Sequence, residues 1–465
     1  MLKTMQTSSS RVRTAALAGI LALAGSIVGS PARPVAAADP VLIGAGDIAD
    51  CSLSGDTATA KLLDGITGTV ATFGDNAYPD GTAADFSQCY EPTWGRHRAR
   101  TRPAPGNHEY RSAAAGPYFA YFGSNAGAGG KGWYSYSLGT WRIIVLNSNC
   151  TQVGGCGPGS PQLTWLQSTL ATYAGSNVLA YWHHPRFSSG AHGGASFMQS
   201  AWEMLYAYGA DVVLNGHDHD YERFARQDPW QRADATFGIR EFVVGTGGAS
   251  VRARASTPAN SQVFSSTNGV LKLTLGVTSY SWQFIPIAGK AFTDSGTSPT
   301  HGAPPPRTRS TFAPSADAYV SQANPDARYG TSTRLIMDSD IGSGLDAHTY
   351  VKATVIGTTG RVDRAVLRLW VTNGTTDGPK VYPTTTTWSG GTITWRNRPA
   401  ATGPYVSDLG RVATDAWIDF DVTSLVRGDG TYGFLIRPTS GDALVASSLQ
   451  GTRPPRLIVD TAPAS

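Results

Sequence analysis

The stretch NGHDHDYER, residues 215–223, sets two histidines one residue apart, straight after the apolar run ADVVL. Such a run predicts a buried strand, with His217 and His219 on the loop at its end. Four more polar clusters close apolar runs or loops in the same way: GDIAD at Asp47, GDNAY from Asp75 to Tyr78, GNHEY at Asn107 and His108, and HHPRF at His183. Taken singly, each is ordinary turn chemistry. In series they supply Asp47, Asp75, Tyr78, Asn107, His183, His217 and His219, a mixed oxygen and nitrogen set that suits two metal ions. Asp75 is the carboxylate expected to bridge them. On an extended loop, residues i and i+2 share a face. His217 and His219 are therefore expected to serve two ions about 3.5–4 Å apart, with Asp218 turned away.

These clusters need strands to carry them. PVLIGAGD, TVATFGDN, WRIIVLNSN, NVLAYWHH, ADVVLNGH and REFVVGTGG are short apolar runs that end in or just beside Gly, Asn, Asp or His. Helical patterns lie between some of them. SPQLTWLQSTLATY offers Ser160 as N-cap and Pro161 at the first helical position, and SFMQSAWEMLYAYG stops at Gly209. The pattern is α/β, in which ligands gather at the carboxyl ends of strands. A hairpin, VLKLTLGVTSYSWQFIPI, closes this domain, assigned to residues 39–290. Residues 291–310, rich in Gly, Ser, Thr and Pro, read as a linker. Residues 311–465 read as an all-β sandwich of the jelly-roll kind, built from DAYVSQ, RLIMDSD, TYVKATVIG, AVLRLWVT, TITWRN, AWIDFDVTSLV, YGFLIRP and RLIVDT. That region has one histidine, His348, and no cysteine, which argues against metal or covalent chemistry there.

The chain has 465 residues, 41% hydrophobic and 15% charged, enough for more than one core. Lys3, Arg11 and Arg13 precede AALAGILALAGSIVG, and small residues follow at VAAAD, so residues 1–38 read as a cleaved secretory signal. The absence of an adjacent arginine pair favours the general export route. Removing the leader leaves 33 basic against 33 acidic residues, so nothing argues for nucleic acid as a partner. No later stretch approaches the ~20 apolar residues of a membrane span. Four cysteines in an exported chain imply two disulfides with three possible pairings. The short CTQVGGC loop favours Cys150–Cys156, and hence Cys51–Cys89.

The series GD, GDxxY, GNHE, His-x-Pro and GHxH resembles the calcineurin-like metallophosphoesterases, and within them the purple acid phosphatase branch. It runs here from Gly46 to Arg223. Many members of the wider family begin with D-x-H, but the residue two after Asp47 is Ala49. Tyr78 stands where the purple acid phosphatases supply a phenolate, a hard donor that suits trivalent iron. The resemblance implies a four-layer α/β/β/α sandwich and one metal, Fe3+, held by Asp47, Asp75, Tyr78 and His219. It implies a second, Zn2+, Mn2+ or Fe2+, held by Asp75, Asn107, His183 and His217. The His-x-Pro frame selects His183 over His184, which is expected to pack beside the site. The expected reaction is cleavage of phosphate monoesters by a metal-bound hydroxide. His108 is expected to stabilise the transition state, and His192, in SSGAHGG, to bind substrate or protonate the leaving group; Asn107 also faces substrate. His97 reads as a surface residue.

Phosphodiesterase action on nucleotides or glycerophosphodiesters is the alternative enzyme reading, since the same core does both. A reading of another class is a cell-wall or polysaccharide-binding surface protein with a structural metal. The C-terminal region resembles the DNRLRE-type jelly rolls appended to secreted bacterial enzymes, which are similar to carbohydrate-binding modules. Trp370, Trp388, Trp395 and Trp417 are candidates to stack on sugars, with core packing as the competing role. The mature protein is expected to be secreted and extracellular, with the cell wall as a candidate site of attachment.

Overall fold

The computed structural model describes residues 38–339, 345–438 and 440–462. The leader read over residues 1–38 lies outside them, apart from Ala38. In chain order the strands of the first domain are β1 (Val41–Ala45), β2 (Thr69–Phe73), β3 (Thr101–Ala104), β4 (Tyr134–Leu138), β5 (Trp141–Val145), β6 (Asn177–Tyr181) and β7 (Ala210–Asn215). They continue with β8 (Tyr221–Phe224), β9 (Arg240–Val244), β10 (Ser261–Ser265), β11 (Gly269–Leu275), β12 (Ser279–Pro286) and β13 (Asp294–Pro299). Two mixed sheets result, in the orders β13-β12-β11-β1-β2-β3 and β10-β8-β9-β7-β6-β5-β4.

The apolar runs are continuous because both faces of the second sheet are covered. Side chains alternate along a strand, so Ile143 and Val145 of β5 join a core shared with Ile43, Val70 and Phe73 of the first sheet. Ile144, between them, faces the other way into a core with Leu163, Leu166 and Leu170 of the helix Pro161–Thr172 and with Trp202 and Leu205 of the helix Gln199–Ala207. Ser160 caps the first of these helices by accepting the Leu163 N–H, and Gly209, at φ 76°, follows the second. The helix Gly55–Asp64 packs against β11. The four-layer sandwich expected from the resemblance is the architecture observed.

All the parallel pairs, β1–β2, β2–β3, β5–β6, β6–β7 and β7–β9, run towards the same set of loops as Asp47, Asp75, Asn107, His183 and His217. The fold thus delivers ligands from both sheets to one edge of the sandwich.

Three stretches differ from their sequence reading. Residues 308–310, read as linker, open the strand Thr308–Phe312 of the C-terminal region. Residues 294–299, read as linker, form edge strand β13 on β12. Composition misleads here because an edge strand needs little apolar content, and because Gly296 lies flat on a ring: a Cβ there would come within 2.4 Å of Trp282. Residues 392–397, TITWRN, form a turn rather than a strand, closed by Asn397 Oδ1 accepting the Thr394 N–H at 2.7 Å.

The C-terminal region is a β-sandwich of two antiparallel sheets. The long strand Arg361–Asn373 is central to one, and Ala347–Val355 pairs with Gly430–Arg437 in the other. Leu367, Leu369, Val351, Phe434 and Val459 meet between them. Trp388 is buried in a smaller cluster with Tyr350 and Leu435. Trp395 is half-buried, with the Arg398 guanidinium 3.5 Å above its ring. Trp370 and Trp417 are cross-strand partners, 5.3 Å apart, on the outer face. Among the described residues, no helix is long and apolar enough to cross a membrane.

Candidate metal centre

Asp47 leaves β1 at φ 58°, Asp75 leaves β2 at φ 48°, and His217 leaves β7 at φ 72°. Left-handed backbone at a non-glycine residue costs about 1–3 kcal/mol and persists only where the surroundings enforce it. Here the enforcement is visible. Ile48 N–H donates to the Asp75 carbonyl and Asp47 N–H to the Gly74 carbonyl, binding the two loops together. The glycine before each ligand is required by contact: a Cβ at Gly74 would meet the His183 ring at 2.4 Å, and one at Gly106 would meet Asp75 Oδ1 at 2.1 Å.

The side chains converge in two overlapping groups. Tyr78 Oη lies 2.9 Å from Asp47 Oδ1, 3.2 Å from Asp75 Oδ2 and 3.2 Å from His219 Nε2. His183 Nε2 lies 3.2 Å from the same Asp75 Oδ2, 3.0 Å from Asn107 Oδ1 and 3.2 Å from His217 Nδ1. Asp75 Oδ2 is common to both. The structure therefore brings together all seven residues expected as ligands.

The ring orientations are set from behind. His183 gives its Nδ1–H to the Phe73 carbonyl at 2.9 Å, and His219 gives its Nδ1–H to the Ser250 carbonyl at 2.8 Å. Each Nε2 is thereby left as a lone pair turned into the cluster, the usual arrangement behind a metal-binding histidine. Around His183 Nε2 lie two acceptors, a carboxylate and an amide oxygen, and a second imidazole. Such a convergence is unfavourable unless a cation or a proton sits within it. Without a cation, burial disfavours a charged His183, but the adjacent Asp75 carboxylate overrides it and pushes the imidazole up to about 9. Burial likewise works against Asp75, yet His183 and His108 hold its carboxyl well below the ordinary range. Burial and then His183 and His184 push His217 far down, so it remains neutral. The donor set fits two cations: carboxylates, a phenol and an amide oxygen on the hard side, imidazoles on the borderline side.

His217 and His219 reach different groups, but not by alternation along an extended loop. Asp218 N–H bonds the Gly216 carbonyl and Asp220 N–H bonds the Asp218 carbonyl, so the segment is a pair of tight turns. Asp218 does turn away. Its carboxylate takes the Ser188 hydroxyl at 2.5 Å and the His192 N–H at 2.9 Å, holding the 188–192 loop over the site.

His108 sits beside the cluster, its N–H on Asp75 Oδ1 at 2.9 Å and its Nε2 3.7 Å from Asp75 Oδ2. The His192 ring stacks on His217, centroids 4.4 Å apart. His184 packs beside the site, as expected. Its ring lies 4.3 Å from that of His217, and it forms a second potential ligand group with His183 and His217. Its Nδ1 bonds Ser148 Oγ at 2.8 Å. His97 is not a surface residue: it is half-buried, 3.1 Å from Asp64 Oδ1, at the C-terminal end of the helix Gly55–Asp64.

Two disulfides are formed, Cys51–Cys89 and Cys150–Cys156, in the favoured pairing. The first ties the loop after Asp47 to the turn of helix at Phe86–Tyr90, and the second closes the loop behind Ser148. Sequence reasoning passed over Glu109 and Arg252. Glu109, fully buried, accepts N–H groups from Asp75, Asn76 and Gly106. Its signal was a carboxylate inside GNHEY with no ligand role assigned. Arg252, whose side chain bonds His192 Nε2, is 33 residues beyond His219 and carries no local signal.

The chain is similar to purple acid phosphatase 15 of Arabidopsis thaliana, 29% identical over 194 residues that cover 34% of this chain and 36% of that protein. It is similar to the uncharacterized protein Rv2577 of Mycobacterium tuberculosis, 33% identical over 144 residues that cover 26% and 27% of the two chains. It thus spans well under two thirds of the length of these relatives. Among solved structures, the purple acid phosphatase PPD1 from yellow lupin seeds aligns with 18% identity and a TM-score of 0.47, over 56% of this chain and 53% of that one. Residues 34–221 of the chain match the calcineurin-like phosphoesterase family, and residues 308–461 match carbohydrate-binding module family 96.

Proposed function

We propose that this protein is a secreted, binuclear metal-dependent phosphatase that hydrolyses phosphate monoesters. The observation that carries the reading is the shared oxygen Asp75 Oδ2, which lies within 3.2 Å of both Tyr78 Oη and His183 Nε2 at the meeting of the two ligand groups. One metal is assigned to Asp47, Asp75, Tyr78 and His219, the second to Asp75, Asn107, His183 and His217. The phenol of Tyr78 selects Fe3+ at the first; the softer, nitrogen-richer second suits Zn2+, Mn2+ or Fe2+. When bound, two such cations activate water near neutral pH and neutralise charge on a phosphoryl group.

The chain's own groups supply the rest. His108 gives its Nδ1–H to the Pro79 carbonyl, which leaves Nε2 as the atom turned to substrate. As an imidazolium it donates from there to a phosphoryl oxygen, where negative charge grows in the transition state. His192 accepts a guanidinium N–H at Nε2, so its proton resides on Nδ1. That arrangement suits binding of a phosphoryl oxygen better than delivery of a proton to the leaving group. Asn107 keeps its amide nitrogen for substrate while its oxygen faces His183. A purely structural metal would need neither His108 nor His192 beside it.

Wall or polysaccharide attachment is assigned to the C-terminal domain, supported by its family and by the outward-facing pair Trp370 and Trp417. The two disulfides support export. The test is turnover of p-nitrophenyl phosphate against bis(p-nitrophenyl) phosphate by the metal-loaded mature protein, with Asp75→Asn as the blank. Monoester cleavage lost in the blank is expected. Diester cleavage alone would replace the monoesterase reading with a phosphodiesterase, and cleavage of neither would leave a structural metal site.

A further inference from the structure

One edge of the site is a continuous row of side chains. Phe197, 48% exposed, meets His184 at 5.6 Å between ring centroids; His184 meets His217 at 4.3 Å; His217 meets His192 at 4.4 Å; and His192 Nε2 receives the Arg252 guanidinium. Arg252 ends the row one imidazole width outside the ligands.

Its backbone is not a free loop. Gly247 N–H bonds the Gly46 carbonyl at 2.8 Å, Ala249 N–H bonds the Asp47 carbonyl at 2.9 Å, and Arg252 N–H bonds the His219 carbonyl at 2.8 Å. Ser250 carries the carbonyl that orients the His219 ring. A Cβ at Gly248 would strike the backbone of Asp56 and Ile48 at 2.4 Å, so the segment lies flush on the first sheet's loops. Arg252 is therefore registered to Asp47 and His219 as firmly as the ligands are to one another.

Its charge is uncompensated. Arg223 is paired with Asp294 and Arg232 with Asp228, but Arg252 has no carboxylate partner among the described residues. A guanidinium remains charged at any working pH and offers five N–H donors in a planar fork matched to carboxylate and phosphate. The bond to His192 uses one. The scissile phosphoryl group has to lie against the ligand cluster and His108, which leaves Arg252 to face whatever the phosphoryl is attached to.

We propose that Arg252 is a specificity-determining cation that receives a second anionic group on the leaving side of the ester, a carboxylate or a phosphate. The site then favours esters whose alcohol carries such a group over esters of neutral alcohols. This rests on the phosphatase reading. Water adds at the scissile phosphorus, the P–O bond to the alcohol breaks, and the leaving oxygen takes a proton; Arg252 binds and takes no part in that exchange.

The test has a binding arm that does not depend on turnover. Calorimetry on the metal-loaded full chain compares methylphosphonate with phosphonoacetate, which differ by a carboxylate. The wild type is expected to prefer phosphonoacetate at least tenfold, Arg252→Gln to lose most of that preference, and Arg252→Lys to keep part of it. Arg254→Gln, whose guanidinium instead bonds Ser261, is the control for bulk charge and should retain it. In the turnover arm, kcat/KM for 3-phosphoglycerate over glycerol 3-phosphate reads the carboxylate, and pyrophosphate over p-nitrophenyl phosphate reads the phosphate; the loss in Arg252→Gln should fall on KM. A wild-type preference near one, or a preference that survives in Arg252→Gln, overturns the assignment. An equal loss in Arg254→Gln also overturns it. If no ester turns over yet the binding preference follows Arg252, the phosphatase reading fails and the anion site stands.

Discussion

The carboxylate of Glu109 accepts the backbone N–H of Asp75 at 3.1 Å, and through it the proposed bridging ligand is held in left-handed backbone. The same carboxylate takes Asn76 N–H at 2.7 Å and Gly106 N–H at 2.6 Å, so one buried side chain clamps the loops after β2 and β3. Burial, and then the Asp75 charge, push Glu109 up to about 7. Replacing it with Gln turns an acceptor oxygen into an NH2 facing a backbone N–H. Loss of such a supporting contact typically lowers metal affinity about 10–100-fold. Glu109→Gln should therefore weaken metal binding by that order in equilibrium dialysis, with far-UV circular dichroism unchanged. Wild-type affinity in the variant would remove Glu109 from the site.

Tyr78 Oη touches both Asp47 and Asp75, and with no cation present, burial followed by those two carboxylates pushes the phenol well above its ordinary value. It therefore enters the reaction with metal as a phenol and must lose its proton to ligate. Loading Fe3+ should release about one more proton in the wild type than in Tyr78→Phe, measured by pH-stat titration. The variant should also retain Zn2+ or Mn2+ at the second group while its iron content falls. Equal proton release would place Tyr78 outside the coordination sphere.

What the sequence made legible follows from the range of each physical cause. A ligand preceded by glycine is a local steric statement: the Cβ that Gly74 or Gly106 lacks would occupy the space of a ligand side chain, so GD and GN pairs at strand ends were readable. The apolar runs of β1, β2, β5, β6, β7 and β9 were readable because burial on both faces leaves few polar positions to obscure them, Asp211 of β7 and Glu241 of β9 among the exceptions. The remainder depends on distant contacts. β13 is a strand only because β12 offers an edge and Trp282 a flat face. Arg252 reaches His192 through a chain reversal that no spacing records. The turns at Asp218 and Asp220 came from a choice between two backbone paths, both compatible with GHDHD, that packing against Gly245 decides.

The two disulfides close very different loops, with sequence separations of 38 for Cys51–Cys89 and 6 for Cys150–Cys156. On chain entropy alone the longer is worth about 4 kcal/mol and the shorter about 2 kcal/mol. Cys51→Ser with Cys89→Ser should lower the urea midpoint more than Cys150→Ser with Cys156→Ser. The shorter pair should instead act on the site, because Cys150 follows two residues after Ser148, which holds His184. Its removal is expected to raise KM before it lowers stability. The reverse order would show that the short disulfide is a general fastener.

Asp211, at the start of β7 and away from the ligands, accepts the His301 N–H at 2.9 Å with one carboxylate oxygen, while the other, buried, has no hydrogen-bond partner. Burial pushes it up to about 7, from an ordinary value of 3.8. The folded state then binds more protons than the unfolded state between these two values, so this group's contribution to stability falls as pH rises through that window. It is fully favourable below about pH 4 and most unfavourable above about pH 7. Asp211→Asn retains an acceptor for His301 without the charge. Its unfolding midpoint should exceed that of the wild type at pH 8, and the gap should close as pH falls to 5. A gap that widens on acidification would mean that Asp211 is held ionised, with the His301 imidazole, 3.7 Å away, as its charged partner.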